Sequence, residues 1–266
     1  MSAVDQEVQH HVALRRGDVG RYVLLPGDPG RCSRIASRFD NPRKVAVNRE
    51  YETWTGTLGG VPVSVTSTGI GSPSSAIAVE ELVKLGADTF IRVGTSGGMQ
   101  PGMQTGELAI VSAAIRDEGT SSHYLPMEFP AVADVDVVLA LREAARRTGA
   151  LARVGVSHSK DSFYAELEPD RMPLAGELNE AWQAYIGGGA ISSEMEAAAI
   201  FIVSSILRVR AGGLMVCVGS PSMTPDEAKA SMEGFTLDPL IDTAVEGLRV
   251  LIEWDRAAGR PVTVSP

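Results

Sequence analysis

Arg92 stands where the chain should be apolar throughout. The run Thr89-Phe90-Ile91-Arg92-Val93 reads as a buried strand that leads straight into Gly94-Thr95-Ser96-Gly97-Gly98. An unpaired guanidinium there would cost on the order of several kcal/mol, so Arg92 needs an anionic partner. A turn of small residues after the strand offers N–H groups and hydroxyls to a phosphate or carboxylate, whereas a buried carboxylate elsewhere in the chain would serve as a structural pair. Leu24 to Arg31, LLPGDPGR, is a second donor-rich stretch: a strand end, a glycine turn and an arginine opening the helical run CSRIASRF. It could present donors to an anion. Alternatively Asp28 is an N-cap, Pro29 the first helical residue, and Arg31, Arg34 and Arg38 a solvated stripe.

Carboxylates and aromatics supply the other candidates. Ile191 to Ala199, ISSEMEAAA, places Glu194 and Glu196 at a helix entry. Ser193 and Glu196 have capping-box spacing, which explains both without function. The functional alternative is a carboxylate that accepts bonds from sugar hydroxyls while Met195 packs on the ring. Carboxylates at i and i+2 share no helix face, so an acid/base pair is not expected. In Asp161 to Glu166, Phe163 could stack on a flat heterocycle, or Phe163-Tyr164 could be core. Ser67 to Pro73, STGIGSP, follows a strand and opens a helix like a dinucleotide fingerprint. Ser74 replaces the third glycine and no acidic residue closes a following strand, which argues against a dinucleotide oxidoreductase.

Strands expected at Tyr22 to Leu25, Val61 to Thr66, Thr89 to Val93, Glu107 to Val111, Arg153 to Ser157 and Leu214 to Val218 must position these groups, with amphipathic helices between several of them. This is an α/β pattern. One helix is expected from Pro73 to a stop at Gly86, and another over about Asp134 to Arg147. A last helical region runs from about Pro225 through GFTLDPLIDTAVEGLRVLIEWDR, with Pro239 breaking or kinking it. With no linker or repeat, residues 1–266 read as a single domain, with 1–20 an N-terminal arm and 257–266 a loose tail.

A formal net charge of -9 argues against nucleic acid or an anionic membrane as partner. Cys32 and Cys217 have neither metal-ligand spacing nor a disulfide framework, and adjacent His10 and His11 lack ligand companions, so no transition-metal site is expected. The N-terminal stretch has no apolar signal region, and no apolar run approaches the roughly 18 residues of a membrane span; a cytoplasmic protein is expected.

Taken together, LLPGDPGR, NREYETW (Asn48 to Trp54), STGIGSPS, FIRVGTSGG, EFPAVAD (Glu128 to Asp134), KDSFY and SEMEAA resemble the nucleoside phosphorylase I family, most closely its uridine phosphorylases. Seven motifs in order span about Val23 to Val218. The resemblance implies a three-layer α/β/α fold with a mixed, barrel-like central sheet, in dimers that build a hexamer. It also implies reversible phosphorolysis of a nucleoside, with inorganic phosphate as co-substrate and no cofactor. Carried onto this chain, Gly27, Arg31, Arg92 and Thr95 would bind phosphate, joined by Arg49 from the neighbouring subunit. That neighbour's His11 would close over the ribose 5′-hydroxyl. Glu196 and Met195 would hold the ribose, with Glu194 nearby; Thr95, Ser96, Gly97 and Phe163 would line the base pocket. Some relatives hold a monovalent cation such as K+ between subunits, which maps to Glu50, Ile70 and Ser74.

Departures bear on the base. Related uridine phosphorylases carry a glutamine where this chain has Glu166. An ionised Glu166 only accepts, whereas a protonated one imitates the amide. Arg171 could bind a uracil carbonyl. Ser220 replaces the aspartate of bacterial purine enzymes, and Pro221 the arginine of enteric uridine enzymes. Uridine is the favoured substrate and purine nucleosides the second choice. A hydrolytic nucleosidase would have no use for Arg31, Arg49 and Arg92 together; a noncatalytic nucleoside-binding protein could keep the whole pocket.

Overall fold

In the computed structural model, residues 7–264 are described apart from 220–229 and 231–232. Ser220, Pro221 and the start of the last helical region, from Pro225 to 229, thus lie outside the described residues. The strands are β1 (Tyr22–Pro26), β2 (Asp40–Asn48), β3 (Tyr51–Leu58), β4 (Val61–Thr66) and β5 (Thr89–Gly98), then β6 (Leu108–Asp117), β7 (Ala131–Val132), β8 (Ala152–Lys160), β9 (Ser192–Glu194) and β10 (Arg210–Cys217). The helices are α1 (Gly30–Ala36), α2 (Ser72–Lys84), α3 (Val135–Thr148), α4 (Phe163–Leu167), α5 (Ala175–Gly187), α6 (Ala197–Leu207) and α7 (Asp238–Ala257).

Five strands close a ring, because β5 pairs with β10, β10 with β6, β6 with β8, β8 with β9 and β9 with β5. From β5 the sheet continues through β1, β4, β3 and β2, mixing parallel and antiparallel pairs. This is the expected mixed, barrel-like sheet. Helices cover both sides, as a three-layer fold requires. Val79 and Leu82 of α2 pack with Ile200 and Phe201 of α6 in one core cluster; Ile35 of α1, Leu141 of α3 and Leu248 and Leu251 of α7 pack in the other.

Several expectations are corrected. Gly94 to Gly98 is no turn but the second half of β5, held by β10 through Cys217↔Ser96 and by β9 at Gly97 and Gly98. Its glycine serves a close approach: a Cβ on Gly94 would stand 2.9 Å from Arg92 Nη2. Of the break or kink expected at Pro239 the structure shows the break: residues 233–237 are not helical and α7 opens at Asp238. Pro239 lies in the first turn, where its missing N–H costs nothing. The 257–266 tail is not loose over its described part, since Val262 packs on the core and Val264 lies against Gly86. The described part of the N-terminal arm packs on the domain: Val12 and Leu14 are buried, and Glu81 of α2 accepts the N–H groups of His11 (2.9 Å) and Val12 (2.8 Å).

The β2–β3 hairpin and α5 were not anticipated. β2 is a bulged edge strand carrying Pro42, Arg43 and Lys44, so it lacks apolar alternation. Helix α5 buries no residue completely, which blunts its helical signal. By contrast, α3 stands where the helix over about Asp134 to Arg147 was expected, with Asp134 Oδ1 accepting from Val137 N–H at 3.2 Å as its N-cap and Gly149 in the left-handed region after its end.

Candidate active site

The C-terminal ends of parallel strands β1, β4 and β5 gather the phosphate candidates, the side of an α/β sheet where ligands commonly bind. Thr68 N–H donates to Pro26 O at 2.9 Å, tying the loop after β4 to the loop after β1. Gly27 faces Arg92: a Cβ there would lie 3.5 Å from Arg92 Nη1 and 3.0 Å from Gly69 O. Only glycine leaves this cradle open. Helix α1 starts at Gly30 with Pro29 at the N-cap position, one residue later than the expected Asp28 cap and Pro29 start, although Asp28 Oδ1 still accepts from Gly30 N–H at 2.8 Å.

Arg92 is buried and its Nη2 ion-pairs with Glu196 Oε2, while its Nε lies 3.8 Å from Glu194 Oε2. Nη1 reaches the Leu25 and Val93 carbonyls at only 3.4 and 3.5 Å. Among the described residues, Arg92 Nε has no hydrogen-bond partner. Arg31 stands near enough to matter electrostatically: burial, then the charge on Arg92, lowers its pKa from the ordinary guanidinium range. Two cations that repel each other beside a cradle closed to any side chain are an arrangement that could take an anion.

The carboxylates have divided tasks. Glu196 Oε1 accepts from the N–H of Gly71 at 2.6 Å, and Gly71 holds φ +100, where an L side chain is strained. Glu194, not the expected Ser193–Glu196 capping box, closes the entry to α6: its carboxylate accepts the N–H groups of Glu196 (2.8 Å) and Ala197 (3.0 Å) and the hydroxyl of Ser159. Burial and the charge on Glu196 push the Glu194 carboxyl up. Ser193 is used elsewhere, because its hydroxyl donates to Glu166 and accepts from Lys160 Nζ at 2.8 Å. Met195 is half-buried, its carbonyl accepting from Ser72 Oγ at 3.0 Å.

A second cluster forms where β8, β9 and α4 meet. Glu166 pairs with Lys160 Nζ at 2.5 Å and lies 3.5 Å from His158 Nδ1. Burial pushes Glu166 up, but His158, Lys160 and Ser193 outweigh it and hold the carboxyl below its ordinary range, which favours the ionised form of the two alternatives. His158 Nε2 meets Asp117 at 2.8 Å, and its ring packs on Tyr185 of α5. Phe163 is 50% exposed rather than core, with Lys160 Nζ 5.9 Å from its ring centroid.

A family model described as the phosphorylase superfamily matches residues 21–236. The chain belongs to that superfamily. A uridine phosphorylase of Treponema pallidum (strain Nichols) is 47% identical over 94% of this chain and 96% of its own length. One of Thermococcus kodakarensis is 45% identical over 96% of this chain and 91% of its own length. A guanosine phosphorylase of Halorubrum lacusprofundi is 36% identical over 85% of this chain and 93% of its own length.

In this superfamily member, Gly27, Arg31, Arg92, Glu194 and Glu196 come together, with Thr95 and Gly97 half-exposed on the end of β5. Ser96 is buried and its Oγ has no partner among the described residues. His11 and Arg49 do not join Arg92: His11 Nδ1 meets Glu81 at 2.7 Å, and Arg49 is exposed at the β2–β3 hairpin tip. Arg171 is also apart, paired with Glu168 at 2.8 Å and largely exposed. Glu50 and Ser74 both stand against Gly69, and neighbouring Ile70 is 79% exposed. Among the described residues there is no cluster of three or more His, Cys, Asp or Glu that could hold a metal, and no helix long and apolar enough to cross a membrane. Sequence reasoning missed Lys160, His158 and Ser159. Lys160 opens KDSFY, so a charge beside an exposed aromatic was the available signal.

Proposed function

We propose that this chain catalyses the reversible phosphorolysis of uridine, giving uracil and ribose 1-phosphate in cytoplasmic pyrimidine salvage. The observation that carries this reading is the pairing of Arg92 with Glu196 beside Arg31, which sets an anion cradle against a carboxylate able to hold sugar hydroxyls. The names of the relatives support uridine. Phosphate, held by Gly27, Arg31, Arg92 and Thr95, attacks the anomeric carbon; the glycosidic bond breaks and its electron pair leaves on the base, which takes up a proton. Positive charge builds on the ribose in the transition state, and a fixed phosphate dianion stabilises it while serving as nucleophile. Glu196 and Met195 orient the ribose, with Glu194 behind them; Ser96, Gly97 and Phe163 wall the base. No resident cofactor takes part.

A second copy of the chain completes the site by lending Arg49 and His11, so the dimer is the minimal active unit and the hexamer its assembly. The exposed hairpin-tip position of Arg49 supports this. Glu50, Ile70 and Ser74 would hold a monovalent cation such as K+ at that boundary. A nucleoside panel followed by chromatography, with and without phosphate, tests the reaction. Phosphate-dependent release of uracil is expected; release of base without phosphate would overturn it. The guanosine phosphorylase among the relatives favours a purine nucleoside as second reading, which turnover of guanosine or inosine but not uridine would establish.

A further inference from the structure

We propose that Lys160 and Glu166 read the nucleobase as a pair, accepting a base edge that presents C=O beside N–H and rejecting one that presents a bare ring nitrogen beside an amino group. The proposal rests on the phosphorolysis reading for the location of the base, beside Phe163.

Lys160 is 6% exposed, and its ammonium has three N–H donors. One serves Glu166 and a second serves Ser193 Oγ. Among the described residues the third has no hydrogen-bond partner, on a nitrogen 5.9 Å from the centroid of the half-exposed Phe163 ring. On Glu166, the contacts from Lys160, Ser193 and His158 all fall on Oε2. Among the described residues nothing donates to Oε1. The pair therefore offers one spare donor and one spare acceptor side by side.

Its placement is rigid. Lys160 ends β8 in register with Asp117 of β6, Ser193 pairs with Gly97 of β5, and His158 is backed by Tyr185. Uracil fits with a carbonyl on Lys160 and N3–H on Glu166 Oε1; hypoxanthine and guanine fit through O6 and N1–H. Cytosine and adenine set a ring lone pair against the carboxylate and an amino group against the ammonium. Sites built this way reject mismatched analogues strongly, because both buried partners are left unpaired. Lys160 also places a cation beside the carbonyl over which the departing base spreads its charge.

The test measures kcat/KM for uridine, cytidine, guanosine and adenosine at saturating phosphate, and binding of free uracil and cytosine by calorimetry, in wild type, Lys160→Met and Glu166→Gln. Wild type should favour the C=O/N–H bases by about 1,000-fold or more. Lys160→Met should weaken uridine use and uracil binding by about 10- to 100-fold with phosphate KM unchanged. The near-isosteric Glu166→Gln keeps an oxygen that accepts from N3–H, as the glutamine of related uridine phosphorylases can, so uridine use should stay within about 10-fold; its NH2 can also donate to a bare ring nitrogen, so cytidine use should rise and the uridine-to-cytidine ratio narrow at least about 10-fold. If Lys160→Met retains both uracil affinity and selectivity, or wild type binds cytosine as well as uracil, the pair does not read the base. Should wild type cleave no nucleoside, phosphorolysis fails, and uracil binding lost in Lys160→Met would still uphold the pair; binding of neither base would overturn it.

Discussion

Arg92→Ala separates the two tasks combined in one guanidinium. Removing one partner of a buried ion pair costs about 3 to 5 kcal/mol because the other charge is stranded. Here the cost should fall near the lower end, about 3 kcal/mol, since Glu196 keeps the Gly71 N–H and Glu194 keeps Ser159 and two N–H donors. Urea unfolding should register that loss. It should grow from pH 5 to pH 7. Glu194 is already raised by burial and Glu196, and Arg92 is a charge that lowers it. Without Arg92 it rises further, and a carboxyl raised in the folded state contributes stability that is full below its unfolded value near 4.3 and is lost as pH climbs through the folded value. A charge-assisted bond to phosphate is worth about 1.5 to 3 kcal/mol, so kcat/KM for phosphate should fall a further ~10- to 150-fold in protein shown to be folded at the assay temperature. A variant that loses the full stability yet keeps its phosphate kcat/KM within about threefold would show that Arg92 serves only the carboxylates.

Phe163→Ala removes a half-exposed ring, so stability should change by less than about 0.5 kcal/mol while the nucleoside KM rises about 3- to 10-fold; an unchanged KM would remove Phe163 from the base pocket. Asp134→Ala deletes the α3 N-cap and should cost about 1 kcal/mol in urea unfolding, with kcat unaffected; no loss of stability would refute the cap. Burial pushes the Cys32 thiol up to about 12, so a thiol reagent at pH 8 should leave it unlabelled in the folded protein and label it in urea. Labelling at the rate of a free thiol before unfolding would refute that burial.

Legibility followed locality. The Val61–Thr66 strand, the α3 helix near Asp134 to Arg147 and the α2 start near Pro73 were readable because each depends on alternation, helical periodicity or a first-turn proline within a few residues. The edge hairpin was hidden by its polar, bulged sequence. Gly94 to Gly98 was misread as a turn because glycine ordinarily signals one; here β9 and β10 hold it extended, and Gly94 makes room for Arg92. Glu166 could be seen to matter, but not which groups surround it, because Lys160 and His158 reach it from β8 and Ser193 from β9.

From its own residues the chain determined that Arg92 requires an anion, that glycine loops follow its parallel strands, and that carboxylates open a later helix. These are matters of desolvation cost and local backbone freedom, which a short stretch of sequence carries. Tertiary structure alone decided that the carboxylate on Arg92 is Glu196, 104 positions away, that Arg31 shares its field, and that Lys160 and Glu166 meet over Ser193. Strand pairing across the closed sheet brings those groups together, and no local propensity encodes which distant charges will share a low-dielectric site.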